Sequence, residues 1–196
     1  MLRFTFEAKG TRPLLCHNAQ LADPENDFAQ QIAAIAGKRK KTVEDRKQIS
    51  RLEWYGGLYT CPEIDEGPML PTSAVRRALQ EAGKVTKQGK QVGRAVAFQD
   101  LYVPIVYDGP RNLDKLFAKS EYLDRRVVKI MGRSVVRSRP IFPHWSIVCS
   151  GLLLEDVLDA KDMEHISWLA GIAEGLGDAR SLGYGRADVT LKFEKI

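Results

Sequence analysis

The chain has 196 residues, 44% of them hydrophobic and 28% charged, with 30 Lys and Arg against 25 Asp and Glu and a net charge of +5. That is enough for a sizeable buried core in one domain with an insertion, or in two small lobes. Cys16, Cys61 and Cys149 are odd in number and far apart, which argues against a disulfide framework or a zinc site, and no apolar run approaches the roughly 18–20 residues of a membrane span.

Residues 2–8 alternate Leu2, Phe4 and Phe6 with Arg3, Thr5 and Glu7, which predicts a half-buried strand rather than a signal peptide, so a cytoplasmic location is expected. Residues 10–24 hold Gly10, Pro13, Asn18 and Pro24 and read as loop. Apolar residues at 28, 32, 35 and 36 predict a short helix over 25–36, ended by Gly37. The basic run 38–53 admits helix or mobile chain. Residues 53–60 read as a strand interrupted by a Gly56-Gly57 turn.

An acidic stretch with Pro62 and Pro68 follows. Thr72 or Ser73 then caps a helix with apolar positions 75, 78, 79 and 82 and Gly83 as its terminator. Residues 84–94, rich in Lys and poor in apolar side chains, read as a mobile basic loop. Residues 95–107 predict a strand broken at Pro104. Residues 108–124 predict a turn and a short helix, 126–138 a strand pair or bent strand, and 144–154 another strand. The clearest helix falls over 160–175, capped by Asp159 with Asp162 and Glu164 near its start. Val189, Leu191 and Phe193 mark a closing strand over 186–194. The order fits an α+β fold, a ferredoxin-like (RRM-like) βαββαβ core spanning 1–196. A large insertion separates its first strand from its first helix and covers 25–66.

Charge is unevenly spread. Lys38, Arg39, Lys40, Lys41, Arg46, Lys47 and Arg51 stand against three acids in 38–53. Arg76, Arg77, Lys84, Lys87, Lys90 and Arg94 stand against Glu81 alone. Arg125, Arg126, Lys129, Arg133, Arg137 and Arg139 have no acid among them, and acids collect at 155–178. Three such runs predict a basic face for a polyanion.

Residues 175–185 supply the most specific pattern: Gly175, Gly177, Gly183 and Gly185 in a GhGxxxxxGhG arrangement between the last helix and the last strand. Glycines permit positive φ and close approach, and the loop's N–H groups suit phosphate. Arg180 and Arg186 add cations and Tyr184 a stacking face. Dinucleotide-binding and Walker loops open a helix after a strand, so this loop is neither.

Spacing and position resemble the C-terminal glycine-rich loop of the CRISPR-associated RAMP superfamily. The segment Gly67–Leu79, with Pro71, Thr72, Ser73, Arg76 and Arg77, resembles the turn that opens the first helix in the backbone subunits of type III effector complexes. Thr72 stands where that family usually has glycine. The resemblance implies a protein that binds single-stranded RNA, or single-stranded DNA, through phosphates. It also implies assembly head to tail with copies of itself or with other CRISPR-like subunits; no cofactor, metal or membrane is expected. The chain is compact for that branch, which fits a stand-alone, phage- or plasmid-borne relative.

RAMP processing endonucleases use a His, and type III backbone subunits an Asp in the loop after the first strand. The matching positions here are His17, and Asp23 or Asp27. Each also has a structural reading, as a loop or cap residue, and no carboxylate pair, metal cluster or nucleophile triad stands out, so binding is favoured over catalysis. The alternatives are a metal-independent endoribonuclease using His17, and an interaction module or inhibitor that mimics a CRISPR subunit. Trp54 and Tyr55 are open between base stacking and packing.

Overall fold

The computed structural model describes residues 1–130 and 132–196, with the side chains of all these but Glu66 and Ile130. Met131, inside the 126–138 strand reading, lies outside the described residues. In chain order, β1 (Leu2–Gly10) and the short β2 (Leu14–Leu15) precede α1 (Asp27–Ala36) and α2 (Val43–Gly57). Next come β3 (Tyr59–Cys61), β4 (Asp65–Pro71), α3 (Thr72–Val85), α4 (Gly89–Ala95), β5 (Val96–Phe98) and β6 (Tyr102–Pro104). The chain continues with α5 (Leu113–Phe117), β7 (Leu123–Ile130), β8 (Arg133–Phe142), β9 (Ser146–Leu153), α6 (Ala160–Leu169) and β10 (Ala187–Lys195). The result is an α+β fold with several antiparallel sheets.

The main sheet has the order β10-β1-β9-β5, every neighbour antiparallel. Alternation in β1 sends Leu2, Phe4, Phe6 and Ala8 inward, each at most 6% exposed, opposite Leu153, Gly151, Cys149 and Ile147 of β9. Gly151 is small because the Phe4 ring fills the space where its side chain would stand. The stripe Val75, Ala78, Leu79 and Ala82 of α3 is buried in the same cluster, as are Met163 and Ile166 of α6. Burying a side chain such as Phe4 is worth about 2–3 kcal/mol. Asp159 caps α6, its side chain accepting the Asp162 amide at 2.8 Å, and the helix runs on into a π-type turn at Ala170–Glu174.

Beside this sheet, β2-β8-β7 and β3-β4-β6 form two three-stranded sheets. The segment between β1 and α3 is joined to the core. Trp54 of α2 is fully buried and its Nε1 donates to the Tyr122 carbonyl at 2.8 Å, which makes it a packing residue and not a base-stacking one.

Three local expectations are corrected. Residues 53–57 are not strand: α2 continues to Gly57, because Gly56 and Gly57 serve close packing rather than a turn. A Cβ on Gly56 would stand 2.5 Å from Leu21 Cδ2, and one on Gly57 2.9 Å from Pro140 Cδ. Gly83 does not end its helix. It is buried inside α3, 3.1 Å (from an ideal Cβ) from the Gly89 backbone of α4. Residues 84–94 are not one loop, since Gly89–Ala95 is helix and buries Val92 and Ala95. The 10–24 stretch, read as loop, also holds β2 and a 3-10 turn at Ala19–Ala22.

Among the described residues, no helix is long and apolar enough to cross a membrane. Among the described residues, no group of three or more His, Cys, Asp or Glu is arranged to hold a metal ion.

Candidate nucleic-acid interface

The outer face of the main sheet carries Arg3, Thr5, Glu7 and Lys9 on β1, Val148, Ser150 and Leu152 on β9, and Thr190 and Lys192 on β10. None is aromatic, so this face offers no platform for stacking bases of the kind RRM domains use. The concave, charged surfaces lie instead around the glycine-rich loop.

Most of that loop is fastened to the chain that follows β1. Gly185 N donates to Pro13 O at 2.8 Å, Asp178 N to Leu15 O at 2.7 Å and Leu176 N to Gly185 O at 2.9 Å. Gly177 and Gly185 have φ of +75° and +69°. A Cβ on Gly177 would stand 2.5 Å from Leu15 O, and one on Gly185 would run into Leu176 O. These glycines build the loop rather than cradle a ligand; Gly183, at φ +88°, faces open space. The Tyr184 ring is covered by Arg126, whose Cζ lies 4.9 Å from the ring centroid and whose Nη2 donates to the Tyr184 hydroxyl. Asp124 in turn accepts from Arg126, so this aromatic face is already used.

The segment 177–181 does face a cleft, of about 660 Å³, together with Tyr59, Pro71, Ser73, Ala74 and Arg77. The two sequence patterns that carried the family resemblance, a hundred residues apart in the chain, thus line one cavity. The N-terminus of α3 opens into it with no side-chain cap, Pro71 standing at the cap position. Uncapped N–H groups and the helix dipole favour an anion. Ser73 and Arg77 are exposed on consecutive turns of the same helix face. Thr72 is not available: it is 4% exposed and its hydroxyl donates to Asp100 O at 2.6 Å. Arg76 is turned away and donates to the Gly93 carbonyl, locking α3 to α4. Beyond Arg77, the α3 face leads to a shallow depression lined by Gln80, Glu81, Lys84, Lys87 and Lys90. From Ser73 to Lys84 it runs about 16 Å at the helical rise.

A second cleft, of about 370 Å³, lies between α1 and β8. His17, Glu53, Arg137, Ser138 and Arg139 line one side, and Leu21, Ala29 and Ile32 the other. Glu53 is 4% exposed and anchors this wall, accepting from Arg137 Nη1 at 2.5 Å and from the Ser138 amide at 2.8 Å. The His17 residue is exposed in surface area, yet it sits in this concavity, and desolvation pulls its basicity below the ordinary imidazole value. Asp178 partly counters that pull and Arg139 and Arg137 add to it. Asp23 uses its carboxylate to accept the Glu25 amide at 2.9 Å in an exposed turn and lines neither cleft, and Asp27 lies in the first turn of α1.

The ridge between the clefts is built from both. Arg139 Nη1 lies 3.3 Å from Asp178 Oδ2, and the Tyr59 hydroxyl donates to His17 O at 3.4 Å. The Arg139–Asp178 pair is a charge contact without hydrogen-bond alignment, since Asp178 Oδ2 and Arg139 Nε both lack a partner. Arg180 Nη1 and Arg186 Nη1 are likewise buried and unpartnered; Glu174 approaches Arg180 only to 4.0 Å. Of six such buried atoms among the described residues, four belong to this neighbourhood.

The 38–47 run stands apart from the loop cleft. Lys38 pairs with Asp45 at 2.5 Å, Lys47 with Glu44 at 3.5 Å, and Arg46 donates to Lys41 O at 3.3 Å, all around the start of α2. Arg39 and Lys40 are exposed there, and Arg94 is exposed on α4 away from the clefts. Sequence reasoning missed Tyr59, Glu53 and Ser138, which sit in no local pattern that marks them, and passed over Asp178 and Ser181, which lie inside the glycine-rich pattern itself.

No family model matches the chain, and no curated protein is similar to it. Among solved structures, it is similar to a chain of the cryo-EM structure of the type III-B Cmr-beta bound to cognate target RNA, with a TM-score of 0.47 and 13% identity. The match covers 99% of this chain and 61% of that one, so the protein spans about three fifths of the length of that neighbour.

Proposed function

We propose that the protein is a RAMP-type, ferredoxin-like protein that binds single-stranded nucleic acid, RNA foremost, through phosphate contacts and without strong sequence preference. The observation that carries this reading is the convergence of the Pro71–Arg77 turn and the 177–181 loop on one cleft. The strand order β10-β1-β9-β5, with α3 preceding β5 and α6 preceding β10, supports the fold assignment, being the order that βαββαβ winding produces. An uncapped helix N-terminus, Ser73, Arg77 and Arg180 supply phosphate contacts, and Lys84, Lys87 and Lys90 extend them along α3. Partners implied are copies of the chain or other subunits of a CRISPR-like ribonucleoprotein.

Fluorescence anisotropy with labelled single-stranded RNA and DNA across a salt series tests this. Neutralising about four phosphates gives a slope of log K against log salt of about −3. A protein that binds neither strand at low salt is not what we propose.

A second reading, a metal-independent endoribonuclease, is favoured by His17. Its depressed basicity keeps the imidazole neutral near pH 7, able to accept a ribose 2′-hydroxyl proton, with Arg137 and Arg139 lining the same cleft. It predicts defined cleavage products that His17→Ala abolishes while binding persists.

A further inference from the structure

The cleft between α1 and β8 is unlike the phosphate cleft in one respect: one wall is apolar. α1 buries a single residue, Ile35, and presents Ile32 and Ala33 to the groove. The facing wall presents Arg137 and Arg139, two residues apart on β8 and so on one side of that strand, each set against a carboxylate, Glu53 and Asp178. An apolar surface opposite guanidinium planes suits a flat, weakly polar ring that carries an anion outside the groove. The phosphate cleft lies directly across the Arg139–Asp178 ridge. We propose that this groove takes one unstacked nucleobase of the strand whose backbone is held against the glycine-rich loop. The occupant follows from that continuity: a strand phosphate held beside the ridge leaves its base facing Ile32 and the Arg139 guanidinium plane. The inference rests on the phosphate-binding reading above and adds a base contact to it.

The test compares two labelled probes of equal length and charge, an oligouridylate and an abasic ribose-phosphate oligomer, by anisotropy. The wild-type protein is expected to bind the base-bearing probe about tenfold more tightly. Ala33→Leu narrows the groove from an exposed helix position without touching a charge, and is expected to bind both probes as weakly as the wild type binds the abasic one. Ala29→Leu, one turn earlier, gives an independent block, and circular dichroism checks that both variants fold. Equal binding of the two probes by the wild type overturns the base pocket and leaves the phosphate reading standing. Full discrimination retained in both variants also overturns it, by placing the base contact elsewhere. Binding of neither probe overturns both readings.

Discussion

Arg139 on β8 and Asp178 in the glycine-rich loop approach to 3.3 Å, and this pair divides the cleft beside α3 from the groove beside α1. Among the described residues, Asp178 is the one acid lining the cleft beside α3, and its field also reaches His17, where it favours the imidazolium. Asp178→Asn is therefore expected to tighten single-stranded RNA binding about two- to fivefold at low salt. It also lowers the His17 pKa further. Anisotropy and an NMR titration of the imidazole protons read the two effects; a looser complex or an unmoved His17 contradicts the assignment.

Neighbouring arginines on α3 separate binding from stability. Arg77 is exposed at the cleft, so Arg77→Ala should reduce the salt slope by about 0.7 and leave thermal stability nearly unchanged. Arg76 spends its guanidinium on the Gly93 carbonyl, so Arg76→Ala should cost about 1 kcal/mol in denaturant melts and leave the salt slope almost intact.

The glycines of the loop differ in the same way. Gly185→Ala forces a Cβ into the Leu176 carbonyl at positive φ and should destabilise the fold by about 3 kcal/mol or more. Gly183→Ala meets no atom and pays only the left-handed backbone penalty, about 1 kcal/mol. Equal losses in urea melts would contradict the fastening of the loop to Pro13 and Leu15.

Stability in acid should carry the signature of Asp45. Its hydrogen bond from Lys38, then those from the Thr42 amide and hydroxyl, hold its carboxyl at about 2 against an ordinary 3.8. The folded value is the lower one, so the unfolded chain binds more protons between these pH values. The stabilisation is complete above about pH 4 and is lost as pH falls towards 2. Asp45→Asn should flatten that part of the pH profile of thermal melts.

What was legible in the sequence was local. The stripe 75, 78, 79 and 82 announced α3, Asp159 announced the start of α6, and the alternation of Phe4 and Phe6 announced a strand. The misreadings arose where a residue answers to a distant partner. Gly56 and Gly57 look like a turn until Leu21 and Pro140 are seen against them, and Gly83 looks like a stop until α4 lies on it. Residues 84–94 lack an apolar stripe, yet Val92, with Ala95 just beyond, anchors the second half as helix. The motif residues were found by spacing, but Thr72 and the loop glycines Gly177 and Gly185 turned out to hold the fold. Tyr59, and the pairing of Asp178 with Arg139, became visible only once distant segments met.

The position of β1 at the middle of its sheet has a cost during synthesis. Its two partners, β9 and β10, begin at Ser146 and Ala187, so Phe4 and Phe6 leave the ribosome on the order of ten seconds before any strand can pair with them. Until then that strand is an unpaired, aromatic edge, open to pairing with the wrong partner.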